Sequence, residues 1–256
     1  MVVVSLASTK GGVGKTTTAI CLATEWMRRG RQVGVVDADA NQPLFRWLER
    51  AKFPQIARAT ADSDSILQCI REVGEGRDVV IVDLQGSANQ AMLYAFGRSS
   101  LVLIPTQASN FDVVEAVKTC AIVQNAGELV GRSIPAHILF TKTPPMLQMR
   151  SVSHSRKAFE KRGLSLLQVE LQERTALREM TYDGMPPNLT TASFTAARNL
   201  AALTDEVELL LGWRTAESPD TPTSFLADPA APRTPLAGDP SAASAQPDAA
   251  SERLTV

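Results

Sequence analysis

Two lysines bracket a run of glycines near the start of the chain, Lys10-Gly11-Gly12-Val13-Gly14-Lys15-Thr16-Thr17. The run follows an apolar stretch over residues 2–7 and leads into an apolar-periodic one over residues 16–26. Strand, glycine loop and helix start, in that order, make a cradle for phosphate. Glycine lets backbone N–H groups turn inward with no Cβ in the way. The helix N-terminus adds partial positive charge, and Lys15 adds a full one. Thr16 supplies a hydroxyl of the kind that ligates Mg²⁺. The chemistry implied is binding of a nucleotide with magnesium, with residues 10–17 as the nucleotide loop.

The usual P-loop spacing requires glycine at position 9, where this chain has Thr9, and it carries no second lysine at position 10. A lysine there is either a solvated loop residue or a charge delivered to the phosphates of a neighbouring subunit. Two further segments carry carboxylates. Asp37-Ala38-Asp39 ends an apolar run, and residues two apart on a strand point to the same side. One such carboxylate can hold a metal-bound water while the other orients an attacking water. An aspartate at a strand end also serves as a turn former and helix cap. Val79-Val80-Ile81-Val82-Asp83 delivers a single aspartate from a buried strand, the pattern of a carboxylate that contacts Mg²⁺ through water. Gln85-Gly86-Ser87 follows as a candidate switch.

These motifs together resemble the deviant Walker A family, the ParA and MinD partition and positioning ATPases with their nitrogenase-iron-protein relatives. The resemblance covers residues 1–213. It implies a P-loop NTPase fold and ATP-driven homodimerisation, with Lys10 crossing the interface to the partner's ATP. It implies catalytic roles for Lys10, Lys15 and Asp39, the last positioning water. Thr16, Asp37 and Asp83 then form the magnesium shell. Weak ATPase activity, stimulated by a ParB-like or relaxosome partner, and DNA binding are implied with it. The run Asp37-Ala38-Asp39-Ala40-Asn41-Gln42-Pro43-Leu44, with Trp47, looks like the ATPase of T-DNA and conjugative transfer, which binds an enhancer and helps assemble the relaxosome. Asp83-Leu84-Gln85-Gly86 departs from the ParA pattern of aspartate followed by prolines, leaving Gln85 as an unassigned candidate.

The elements that must position these residues alternate along the chain. Strands are expected at 2–7, 32–38, 56–59, 79–84, 101–105, 136–140 and 164–169. Helices are expected at 15–29, 43–51, 65–73, 88–96, 111–124, 151–162, 176–182 and 194–211. Several strands are apolar on both faces, as when helices cover a parallel sheet from both sides. The fold class is therefore α/β: a doubly wound, mostly parallel sheet with ligand at the strands' C-terminal ends. With 256 residues and 44% hydrophobic composition, one core is expected. Residues 1–214 form the ATPase domain. Residues 215–256 are rich in proline and alanine, with six acids against two arginines, and read as a disordered acidic tail.

DNA binding requires a basic face. Residues 142–178 hold eight lysines and arginines against three glutamates. Arg150, Arg156, Lys157, Lys161 and Arg162 are the candidates, four of them on adjoining faces of one helix, and such residues give sequence-independent, salt-sensitive affinity. An ordinary solvated helix face is the competing reading. Trp26 and Trp47 read as packing residues, and His137 and His154 have no partner at catalytic spacing. Cys21, Cys69 and Cys120 are scattered through helical patterns, which argues against disulfides, a metal or an iron–sulfur cluster. A MinD-like membrane positioner requires a basic amphipathic C-terminal helix, whereas this terminus is acidic and proline-rich. No apolar run reaches membrane-spanning length, so no membrane partner and a cytoplasmic location, with nucleoid association, are expected.

Overall fold

The computed structural model describes residues 1–87, 89–145, 150–190 and 193–213. The expected tail at 215–256 and its boundary at 214 lie outside the described residues.

Five apolar runs rich in valine, leucine and isoleucine form the strands β1 (Val2–Leu6), β2 (Val33–Ala38), β4 (Val79–Leu84), β5 (Leu101–Thr106) and β6 (Ala136–Thr143); the half-buried β3 (Ala57–Thr60) and the short β7 (Leu171–Gln172) are the edges. All pair in parallel, in the order β3-β2-β4-β1-β5-β6-β7. Between and after them run α1 (Lys15–Arg28), α2 (Pro43–Ala51), α3 (Ile66–Gly74), α4 (Gln90–Arg98), α5 (Asn110–Val130), α6 (Arg150–Glu160), α7 (Thr175–Asp183) and α8 (Phe194–Leu210), with a 3₁₀ turn at Pro187–Leu189.

Alternation along the strands divides the core into two layers. Val4 and Leu6 of β1, Val35 of β2 and Ile81 of β4 pack with α1, α2, α7 and α8. Val3, Val36, Val80 and Val82 pack with α3, α4, α5 and α6. Both faces are covered, so the central strands read as continuous apolar runs. The chain leaves β1 toward β2 on one side and returns through β4 before crossing to β5. That reversal opens a crevice at the C-terminal ends of β1, β2 and β4, where a doubly wound sheet binds its ligand. Leu6, Asp37 and Asp83 end neighbouring strands there in matched register.

Most elements fall within two residues of expectation. Helix α5 runs longer, to Val130, and ends on Gly131 at φ 68°, with Arg132 N–H bonded to Gly127 O at 3.0 Å. Strand β6 extends three residues past 140, through Lys142 to Thr143. The expected strand at 164–169 is a correction. It makes a single bridge, Ile138 to Leu166, and the edge strand lies instead at Leu171–Gln172. Side chains of α8 replace strand pairing here. Glu206 accepts the N–H groups of Gln168 and Val169 at 2.7 and 2.8 Å, and Asn199 accepts that of Gln172 at 3.0 Å. A backbone donor satisfied by a side chain has no need of a ladder. Among the described residues, no helix is long and apolar enough to cross a membrane.

Candidate nucleotide site

The loop between β1 and α1 is built on two left-handed glycines, Gly12 at φ 72° and Gly14 at φ 96°. Residues with a Cβ rarely adopt that geometry, which accounts for glycine at both positions. Gly14 caps α1 and brings no side-chain hydrogen bond, so the first-turn N–H groups of the helix stay available to an anion. Lys15 opens the helix and is buried. Burial pulls its ammonium below the ordinary lysine value, while Asp83 and Asp39 act in the opposite sense.

Asp83 stands across the loop at the end of β4. Its Oδ2 accepts the Thr16 hydroxyl at 2.6 Å, and its Oδ1 is buried with no partner among the described residues. Desolvation pushes this carboxyl up to about 7, against the opposing Thr16 hydrogen bond. An unpaired buried carboxylate oxygen beside a hydroxyl and a buried ammonium is a donor set suited to Mg²⁺ and a polyphosphate. The next turn closes over the loop. A Cβ at Gly86 would stand 3.0 Å from Gly11 Cα and 3.1 Å from Lys15 Nζ. Glycine at 86 therefore lets the post-β4 segment touch the phosphate loop.

The two aspartates of β2 separate in role. Asp37, expected in the magnesium shell, is fully buried and occupied by backbone. Its Oδ1 accepts Asp39 N–H at 3.0 Å, and its Oδ2 accepts Leu44 and Phe45 N–H at 2.8 and 3.0 Å. It thus caps α2 and shapes the turn through Gln42, whose φ is 51°. Burial raises its carboxyl above the ordinary aspartate value despite those three bonds. Asp39 is half-buried and starts a turn of its own, accepting Asn41 N–H at 2.9 Å.

Lys10 meets its sister lysine only through its backbone, its carbonyl accepting Lys15 Nζ at 3.4 Å. Its ammonium pairs with Asp112 of α5 at 2.8 Å, with the lysine side chain 40% exposed and the aspartate only 3%. Asp112 sits in the first turn of α5, where a carboxylate complements the helix dipole, and it also accepts the Ser109 hydroxyl. Thr9 is tied to the same helix, donating its hydroxyl to Glu115 Oε2 at 2.7 Å. Sequence reasoning missed these α5 partners, because a contact across about a hundred residues leaves no local pattern. Beyond Thr17, a cleft of about 270 Å³ runs between the loop and the Gln172–Arg178 segment, lined by Gly14, Thr17, Thr141, Lys142, Leu177 and Arg178.

Residues 1–209 match the family model described as VirC1 protein. The chain belongs to the VirC1 family. That places it among the ParA/MinD P-loop ATPases. It is 32% identical to Protein ParA of Rhizobium radiobacter over 178 residues, covering 69% of this chain and 80% of that one. It is 29% identical to Protein virC1 of Rhizobium radiobacter over 192 residues, covering 72% and 82%. Among solved structures, the Cyanothece McdA–ATP complex superposes with a TM-score of 0.67 at 18% identity, covering 84% of this chain and 98% of that one. The last likeness is one of fold.

The basic residues of this VirC1-family chain are not equivalent. Arg150, Lys157, Lys161 and Arg162 are exposed. Arg156, expected on the same DNA face, is instead drawn inward. It pairs with Glu170 at 3.2 Å, donates to Leu167 O at 3.3 Å and lies 5.4 Å from the Phe140 ring centroid. Helix α6 ends at Glu160, so Lys161 and Arg162 stand in the following turn rather than on a helix face, and Arg162 caps the helix through Ala158 O at 2.7 Å. Trp26 and Trp47 are core residues, Trp47 donating to Met180 O at 2.7 Å.

Proposed function

We propose that this chain is an ATP-dependent dimerising switch, a slow ATPase that binds DNA and positions a plasmid, a transfer complex or another cargo. The observation that carries the reading is the pairing of Asp83 with Thr16 beneath a glycine loop, with a buried Lys15 and an unpaired Asp83 Oδ1. Relatives support the nucleotide: one is named ParA, and an aspartate-to-alanine variant of Cyanothece McdA was solved with ATP.

In this reading Lys15 and the first-turn N–H groups of α1 hold the triphosphate. Thr16 and Asp83 hold the magnesium ion, which when bound offsets charge on the phosphate oxygens. Asp37 sets the turn that presents Asp39, and Asp39 orients a water for attack. Lys10 leaves Asp112 to reach the phosphates of a second copy, so ATP and dimerisation are linked. Positioning and charge neutralisation suffice for slow hydrolysis. The closed dimer doubles the exposed basic residues Arg150, Lys157, Lys161 and Arg162, which raises DNA affinity by avidity. A ParB-like or relaxosome protein stimulates turnover, and the protein works in the cytoplasm on the nucleoid.

A second reading, an enhancer-binding ATPase that assembles the relaxosome for conjugative or T-DNA transfer, is favoured by the VirC1 family match. A mobility shift across a salt series separates the two: one preferred site favours transfer, and length-dependent binding favours partition. The core reading is tested by Lys15→Ala and Lys10→Ala. Lys15→Ala is expected to abolish binding of ATP, and retained micromolar affinity refutes the cradle. Lys10→Ala is expected to bind ATP yet stay monomeric by light scattering, and an ATP-induced dimer in that variant refutes the contact in trans.

A further inference from the structure

Strand β6 reaches the phosphate loop with two consecutive side chains. The Thr141 hydroxyl donates to Val13 O at 2.6 Å, sharing its proton with Thr106 O at 3.1 Å. The Lys142 ammonium donates to Gly12 O at 2.8 Å. In a regular strand, neighbours point to opposite faces and cannot serve one loop together. Here the register slips between Thr141 and Thr143, and Lys142 sits at φ 55°, a left-handed conformation that residues with a Cβ rarely adopt. A bulge of this kind re-aims side chains, and such strain persists only where surrounding contacts hold it. Thr141 is buried against the loop, while Lys142 is exposed.

We propose that Thr141 and Lys142 are positioning residues for the triphosphate, a two-pronged strap that sets the direction of the Val13 and Gly14 N–H groups by pinning the carbonyls of the same peptide units. The planar trans peptide makes this follow. The Gly12 carbonyl belongs to the unit whose N–H is that of Val13, and the Val13 carbonyl to the unit whose N–H is that of Gly14. The carbonyl and N–H of one unit point in opposite directions, so a donor holding the oxygen from the β6 side aims the N–H away from β6. Gly12 and Gly14 have the backbone freedom to rotate, and the Gly12 carbonyl has two external holds, the charged Lys142 at 2.8 Å and a longer, neutral one from Gln107 Nε2 at 3.3 Å, of which Lys142 is the stronger. A cation on the Gly12 oxygen also polarises its amide and makes the Val13 N–H a stronger donor. Lys142, counted in the sequence as one more basic residue, thereby acts on the nucleotide through the loop.

This inference rests on the nucleotide reading above, and the experiment separates their failures. The variants are Lys142→Gly, Lys142→Met, Lys142→Arg, Thr141→Val and Thr141→Ser, each measured for binding of a fluorescent ATP analogue with magnesium and for the melting temperature of the nucleotide-free protein. Lys142→Gly suits the left-handed backbone while removing the ammonium, so its melting temperature is expected to match or exceed wild type. Its affinity for the analogue is expected to fall about tenfold, and Lys142→Arg is expected to restore most of it. The ratio between wild type and Lys142→Gly is expected to persist near 1 M salt, where the screening length is about 3 Å and a distant charge is muted. Thr141→Val is expected to lose affinity as well, with Thr141→Ser restoring it. Wild-type affinity in Lys142→Gly overturns the strap. So does a loss that arginine fails to restore, one that vanishes in salt, or one that follows a collapse in melting temperature. Wild-type protein that fails to bind the analogue at all overturns the nucleotide reading instead.

Discussion

At the scale of single residues, the site is governed by desolvation. Asp83, Lys15 and Asp37 are all buried in one small region, and each sits away from its ordinary protonation range because water is excluded. The three resolve that cost differently. Asp37 spends its lone pairs on three backbone N–H groups, whereas Asp83 keeps one oxygen unpaired. The first arrangement shapes structure, and the second leaves a carboxylate oxygen that suits the proposed magnesium site. Gly86 matters at this scale because its hydrogen stands where a methyl would press on Gly11 and Lys15. Gly86→Ala is expected to weaken ATP-analogue binding by about tenfold through displacement of the Lys15 head, with the melting temperature little changed. Equal affinity in fluorescence titration would show that the post-β4 segment gives way without disturbing the cradle.

Among elements, α1 joins the phosphate loop at one end to a charge network at the other. Glu25 near its C-terminus is buried and receives Arg28 at 2.7 Å and Arg29 at 2.9 Å. Arg29 continues to Asp205 and Glu208 of α8 at 2.7 and 2.9 Å, and Asn188 donates to Glu25 at 3.1 Å. Burial alone would raise the Glu25 carboxyl, but the two guanidiniums outweigh it and hold the group below the ordinary glutamate value. The folded state thus binds this proton less readily than the unfolded chain. Its stabilisation is complete above the ordinary glutamate value and is lost as pH falls through the lower, folded value. Glu25→Ala is expected to cost about 2 kcal/mol in urea unfolding at neutral pH, since the partly exposed Arg28 and Arg29 lose a shared buried carboxylate while Arg29 keeps Asp205 and Glu208. The difference from wild type is expected to shrink as the buffer is taken into that acid window. A cost that is flat with pH would mean that packing, not charge, holds α1 to α8.

For the molecule as a whole, the outcome depends on which cations remain free. Arg156 is committed to Glu170 and Phe140, and Arg29 to the α1–α8 network, so neither is a sound choice for probing DNA. Lys157 and Lys161 are exposed. Lys157→Glu with Lys161→Glu is expected to weaken ATP-dependent duplex binding and to lower the salt dependence by about one counterion for each lysine engaged. Unchanged filter-binding affinity in that double variant would refute the proposed DNA surface.

How far these features could be read from the chain depended on their range. Residues 10–17, Asp83 and the alternation of apolar runs state the nucleotide loop, the carboxylate strand and the doubly wound sheet directly, because each is carried by short-range sequence pattern. The edge of the sheet was not legible, since α8 side chains some thirty residues away satisfy the 168–172 backbone. Nor was the division between Asp37 and Asp39, which depends on how the turn to α2 closes. Spacing puts both carboxylates on one side of a strand; only packing decides which one is consumed by N–H groups. The same holds for Lys10 on Asp112 and for Lys142 on Gly12. Both lysines are plain in the sequence, and what each ammonium holds was decided only when distant strands and helices came together.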